Sequence, residues 1–185
     1  MTTNYFSCLC CPIYTTPYTH KEEIYDNNKP KKNKAGICFY NTKTRKILVI
    51  QSRGNLWGLP KGSMENKDIP ENLNISVATK NCALREVLEE TGIRVDYNHL
   101  LRKFVINKTT YFLIDLCEYS QYMKCIEEIN NKTLNSLQSE VNDSTGISFM
   151  SLDCLNNHSQ CLNSNCKRIL KYLFNTRNYY TLIKK

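Results

Sequence analysis

Arg85-Glu86-Val87-Leu88-Glu89-Glu90-Thr91-Gly92-Ile93 is the stretch that decides how this chain is read. Its three glutamates stand at i, i+3 and i+4, the spacing that gathers side chains on one flank of an α-helix. Three acids so close repel one another unless a cation sits among them, and hard carboxylate oxygens suit Mg²⁺ or Mn²⁺. At roughly 100° per residue, Leu84, Val87 and Leu88 fall on the opposite side, with Val77 and Asn81. The pattern predicts a helix that buries that side and aims its carboxylates away from the core. Ser76 is the expected N-cap, and Gly92 supplies the left-handed residue that stops the helix.

Upstream lies a second informative segment, Trp57-Gly58-Leu59-Pro60-Lys61-Gly62-Ser63-Met64-Glu65. Together the two segments resemble the Nudix hydrolase family, whose box reads G-x5-E-x7-R-E-U-x-E-E-x-G-U, with U aliphatic. Residues 85–93 match the second half at every fixed position. The first half departs, because Gly62 and Arg85 are 23 positions apart, nine more than the pattern has. Counted back from Arg85, the first Glu position of the box holds Val77; counted forward from Gly62, it holds Asp68. The insertion is therefore placed at about residues 69–76, with Asp68 or Glu71 as the substitute acid.

The resemblance implies an α/β fold, a Nudix-type α/β/α sandwich with a mixed β-sheet, over residues 34–175. It implies hydrolysis of a phosphoanhydride bond with Mg²⁺ or Mn²⁺, held by Glu86, Glu89, Glu90 and the backbone carbonyl of Gly62. Arg85 would brace the loop through a carboxylate, Asp68, Glu71 or Glu65. The general base would come either from the helix, as Glu89 or Glu86, or from a later loop. Glu127, Glu128, Glu140 and Asp143 are the later candidates, with Glu140 and Asp143 favoured because they precede the strand expected at Ile147. Lys61 and Arg53 are candidate donors to substrate phosphates, Arg53 being equally readable as a solvated charge at a strand end. Trp57 has two readings: stacking on a base or cap guanine, or packing against the box loop, as an aromatic does in many family members.

Bulk properties bound the rest. At 185 residues the chain supports one well-buried core rather than two domains. No run of 18 apolar residues exists and no secretory pattern opens the sequence, so no membrane partner and a cytoplasmic location are expected. The ten cysteines are scattered, which argues against a disulfide framework. Cys8, Cys10 and Cys11 could bind a metal, carry a lipid or be inert. His20, His99 and His158 are isolated and read as surface or packing residues.

Charge is more telling in its distribution than in its total of +8. Residues 1–53 balance to +6, residues 54–161 to −4 and residues 162–185 to +6, the last with no acid at all. An acidic centre between basic flanks suits a metal site that attracts a polyanion. Residues 1–33 read as a basic arm with little core of its own, and 176–185 as a basic tail. Strands are expected at 35–40, 46–51, 93–97, within 104–116 and at 147–150, with a helix at 165–174.

Pro60-Lys61-Gly62 is similar to the corresponding loops of mRNA-decapping Nudix enzymes and of diadenosine tetraphosphate hydrolases. The basic flanks favour RNA, because a long polyanion rewards distributed charge. The leading expectation is therefore cleavage of a diphosphate in the 5′ cap of RNA. The alternative is a nucleotide polyphosphate such as a diadenosine polyphosphate, or a diphosphoinositol polyphosphate. A non-catalytic Nudix-like RNA-binding module is disfavoured, since such modules usually lose helix carboxylates and this chain keeps three.

Overall fold

The computed structural model describes residues 11, 13–15, 33–52, 56–72, 74–131, 144 and 146–174. Its strands are β1 (Ile13–Thr15), β2 (Lys34–Asn41), β3 (Lys46–Ser52), β4 (Leu56–Gly58), β5 (Lys61–Ser63), β6 (Arg102–Ile106), β7 (Thr109–Asp115) and β8 (Gly146–Ser151). Its helices are α1 (Ile75–Thr91), α2 (Gln121–Asn131), α3 (Leu152–Asn157) and α4 (Ser164–Phe174). Among the described residues the strands form one sheet in the order β1-β8-β3-β2-β7-β6, with β4 paired to β3 and β5 to β2. The central pair β2·β7 is parallel and the other pairs are antiparallel, so the sheet is mixed.

Period-two alternation sorts the strand residues between two cores. On one face Cys38, Tyr40, Val49, Tyr111 and Met150 meet Leu155 of α3 and Ile169 and Leu173 of α4. On the other, Ile37, Phe39, Leu48, Ile114 and Phe149 meet Cys82, Ala83 and Val87 of α1 and Ile126 of α2. Helices on both faces of a mixed sheet make the expected α/β/α sandwich.

Several local expectations are corrected. The strand expected at 93–97 does not form: Asp96 accepts the Asn98 N–H and caps a 3₁₀ turn at Tyr97–His99. The long apolar run is split into β6 and β7 by Asn107 and Lys108, both in the left-handed region (φ 49° and 64°) that a tight hairpin needs. Asn74, not Ser76, caps α1, its side chain accepting from the N–H groups of Ser76 and Val77. Helix α2, where isoleucine and tyrosine are spaced among polar residues, was not expected at all. In the segment read as an arm, β1 extends the sheet edge and Cys11 is buried in the core.

Candidate active site

Helix α1 packs against the sheet through Ala78, Cys82, Ala83 and Val87, which are small enough for close approach. That face differs from the expected one, since Leu84, Leu88 and Val77 are only partly buried. Its rotation turns Glu86 and Glu90 inward, 9% and 7% exposed, toward β5 and not into bulk water. The helix ends as expected, with Gly92 at φ 72° and its N–H on the Leu88 carbonyl.

Strand β5 brings the loop to the helix. Its pairing with β2 sets Gly62 opposite Ala35, beneath α1. A β-carbon on Gly62 would run into the Glu86 carboxylate, so only glycine lets that carboxylate meet the backbone here. One residue earlier, the Lys61 N–H donates to Glu90 Oε2 at 2.7 Å.

Arg85 ties these parts together. Its Nε and Nη2 donate to the two oxygens of Asp68, both at 2.9 Å, and Nη2 also donates to the Ser63 carbonyl at 3.0 Å. Asp68 closes a 3₁₀ turn at Asn66–Asp68 by accepting the Glu65 N–H, and its own carbonyl accepts from Asn81. Of the three acids open as the partner of Arg85, Asp68 makes the buried bidentate contact, Glu65 stands 3.9 Å away and Glu71 is exposed. The remaining nitrogen, Nη1, lies 2.8 Å from Glu86 Oε1 and 2.8 Å from Glu89 Oε2.

The electrostatics follow from this packing. Burial raises the Asp68 pKa, but the hydrogen bonds from Arg85 and the Glu65 N–H outweigh it and hold the carboxyl below its usual value. Burial pushes Glu86 up, opposed by Arg85 and reinforced by the charges of Glu89 and Glu65. Lys61 is pushed down, first by burial and then by Lys34, against the pull of Glu90 and Glu86. Cys82 is raised to about 12 by burial and the charges of Asp68 and Glu86.

Among the described residues, no three His, Cys, Asp or Glu side chains already surround one point as metal ligands. Glu86 and Glu89 converge on Arg85 Nη1, whereas Glu90 turns to the Lys61 N–H, so the expected convergence of all three is not what the structure displays. The donor set nevertheless fits a divalent ion. Two carboxylates already share one cationic nitrogen, one of them lies directly against the Gly62 backbone, and the buried Glu86 carboxylate gains from added positive charge.

Other candidates fall differently. Trp57 is 2% exposed in the core against Leu162, and its carbonyl accepts the Asn163 N–H. That burial corrects its reading as a stacking platform and leaves the packing one. Glu127 and Glu128 lie exposed on α2. Arg53, Glu140 and Asp143, with Cys8 and Cys10, lie outside the described residues. Lys67, which the sequence did not single out, sits 3.5 Å from Glu89; a lone lysine in a loop carries no pattern that would have marked it.

A NUDIX domain model matches residues 30–153. The chain belongs to the Nudix family. It is 31% identical over 150 residues to protein 111R of Invertebrate iridescent virus 3, which bears a hydrolase name, covering 78% of this chain and 75% of that protein. It is 26% identical over 171 residues to the mRNA-decapping protein g5R of African swine fever virus (isolate Warthog/Namibia/Wart80/1980), covering 85% of this chain and 63% of that protein. The chain thus spans less than two thirds of the g5R protein. A bifunctional NMN adenylyltransferase/ADP-ribose pyrophosphatase from Francisella tularensis shares the fold, with TM-score 0.50 and 16% identity over 81% of this chain and 43% of that one. The protein is a Nudix hydrolase, and Nudix enzymes generally use a divalent metal. No helix among the described residues is long and apolar enough to cross a membrane.

Proposed function

We propose that this Nudix hydrolase cleaves a diphosphate linkage in the 5′ cap of RNA, releasing the capping nucleoside as its diphosphate. The observation that carries the RNA reading is the outer face of α4. Lys167, Arg168 and Lys171 are exposed there, the helix contains no acid, and none of the three forms an ion pair among the described residues. An exposed helix normally interleaves acids with its lysines; one that does not presents a track for phosphates. Similarity to a viral decapping protein supports the same reading.

Glu86, Glu89, Glu90 and the Gly62 carbonyl would hold Mg²⁺ or Mn²⁺. Such an ion supplies charge neutralisation on the diphosphate and a more acidic bound water. The protein's own groups do the rest. Arg85, gripped by Asp68, fixes the loop and the helix in one register and keeps Glu86 and Glu89 side by side. Glu89 would be ligand and base through different oxygens: its side chain is 43% exposed while that of Glu86 is 12% exposed, which leaves it the one with an oxygen to spare for water. A carboxylate open to solvent can take a proton from an attacking water. Glu140 keeps its place as a candidate second acid. Lys61 presents its backbone to Glu90 and, with Arg53, offers positive charge to substrate phosphates.

The test is a side-by-side turnover screen of capped RNA, the free cap dinucleotide, diadenosine tetraphosphate and a diphosphoinositol polyphosphate. Capped RNA should have the highest kcat/KM, and that advantage should shrink steeply with added salt. Equal kcat/KM for the dinucleotides, flat in salt, would remove RNA as the substrate.

A further inference from the structure

The turn that follows β5, ahead of the extra residues of the box, brings a cation to the site. Lys67 stands in the 3₁₀ turn Asn66–Asp68, with its Nζ 3.2 Å from Glu65 Oε2 and 3.5 Å from Glu89 Oε1. The backbone that carries it is fixed. Its neighbour Asp68 is 3% exposed and bound twice by Arg85, the Glu65 N–H closes the turn, and Asn81 of α1 holds the Asp68 carbonyl.

The ammonium itself is held far less firmly. Its side chain is 57% exposed, and its partners Glu65 and Glu89 are 47% and 43% exposed. Solvated pairs of this kind are weak and exchange readily. Arg85 is the other cation on Glu89, and its guanidinium is committed to Asp68, the Ser63 carbonyl and Glu86 as well. Lys67 is therefore the cation that can leave Glu89 without breaking a buried contact. A lysine combines a compact charge with a flexible four-carbon stem, which suits it to follow a phosphate.

We propose that Lys67 is a substrate-binding residue, whose ammonium turns from Glu89 to a non-bridging oxygen of the diphosphate when a divalent cation takes that carboxylate. The inference rests on Glu89 as a cation ligand and is independent of which nucleoside the substrate carries. It has two consequences. Lys67 competes with the divalent ion for Glu89, and it adds a charge-assisted hydrogen bond to any bound diphosphate.

The test uses the full chain and its Lys67→Met, Lys67→Arg and Glu89→Gln variants, with circular dichroism confirming that each is folded. Mn²⁺ alone is titrated by electron paramagnetic resonance, and methylenediphosphonate is then titrated calorimetrically at saturating Mn²⁺. Removing a weak competing pair should tighten Mn²⁺ binding by about threefold in Lys67→Met. Losing a hydrogen bond to a charged group should weaken methylenediphosphonate by about tenfold or more. Lys67→Arg, which keeps the charge, should stay close to the parent in both. Unchanged methylenediphosphonate affinity in Lys67→Met, or an equal loss in Lys67→Arg, overturns the proposal. Unchanged Mn²⁺ affinity in Glu89→Gln overturns the metal reading beneath it, which separates the two failures.

Discussion

Arg85 grips Asp68 through two N–H···O bonds, Nε to Oδ1 and Nη2 to Oδ2, both at 2.9 Å, across the extra residues of the box. The pair locks the loop to the helix with the aspartate almost wholly buried. Removing one partner of such a pair strands the other's charge, which costs about 3–5 kcal/mol. Asp68→Ala should lower stability by about that much in chemical denaturation, whereas Glu71→Ala, at an exposed position, should stay within about 0.5 kcal/mol of the parent. Equal effects would show that the brace lies elsewhere.

The same pair sets an acid limit. The pKa of Asp68 is lower in the folded chain than in the unfolded one, so its stabilisation is fully present above the ordinary aspartate value, about 3.9, and is lost as pH falls through the depressed folded value. Stability of the parent should therefore fall more steeply below about pH 4 than that of Asp68→Asn. Parallel curves for the two in acid titrations of the melting temperature would contradict this.

Gly62→Ala places a methyl group where the Glu86 carboxylate lies. Glu86 must swing away from the backbone, and catalysis depends on placement to within a fraction of an ångström. Turnover should fall by about 10²-fold, with weaker Mn²⁺ binding, while the circular dichroism spectrum stays that of a folded protein. Full activity in a folded Gly62→Ala would mean that this close approach is incidental.

Trp57 is the middle residue of β4 and is buried in the core. Trp57→Ala should cost about 3–5 kcal/mol of stability. Trp57→Phe, which retains most of the ring, should leave the KM for capped RNA unchanged. A large rise in KM for a stable Trp57→Phe would restore the stacking role.

Helix α4 supplies a reading by salt. If Lys167, Arg168 and Lys171 each neutralise one phosphate of single-stranded RNA, replacing all three by Gln should reduce the log–log slope of affinity against salt by about 2. An unchanged slope would place the RNA on another surface.

What the sequence disclosed and what it hid have physical reasons. The helix that carries Glu86, Glu89 and Glu90 was legible from its spacing, and Gly92 because left-handed backbone favours glycine, whereas the inward turn of Glu86 and Glu90 was not. Asp68 was one of three acids, since spacing cannot say which carboxylate a folded loop turns inward. The buried face of α1 was read only in part: Val87 lies on it as expected, but the small Cys82 and Ala83 join it in the core while Leu84 and Leu88 stay partly buried. Asn74 displaced Ser76 as the cap because both residue types cap well, each accepting N–H groups two and three residues on, and only the path of the loop decides where the first turn begins. Lys67 was invisible because its place beside Glu89 comes from the turn at Asn66–Asp68, which sequence spacing does not mark.

Turnover of Glu89→Gln tests the central claim most directly, with capped RNA as substrate and Mg²⁺ or Mn²⁺ at saturation. A folded variant whose kcat falls by at least about 10²-fold is the outcome expected of a carboxylate at the reacting water. A folded Glu89→Gln that cleaves the diphosphate at the parent's rate would contradict the account.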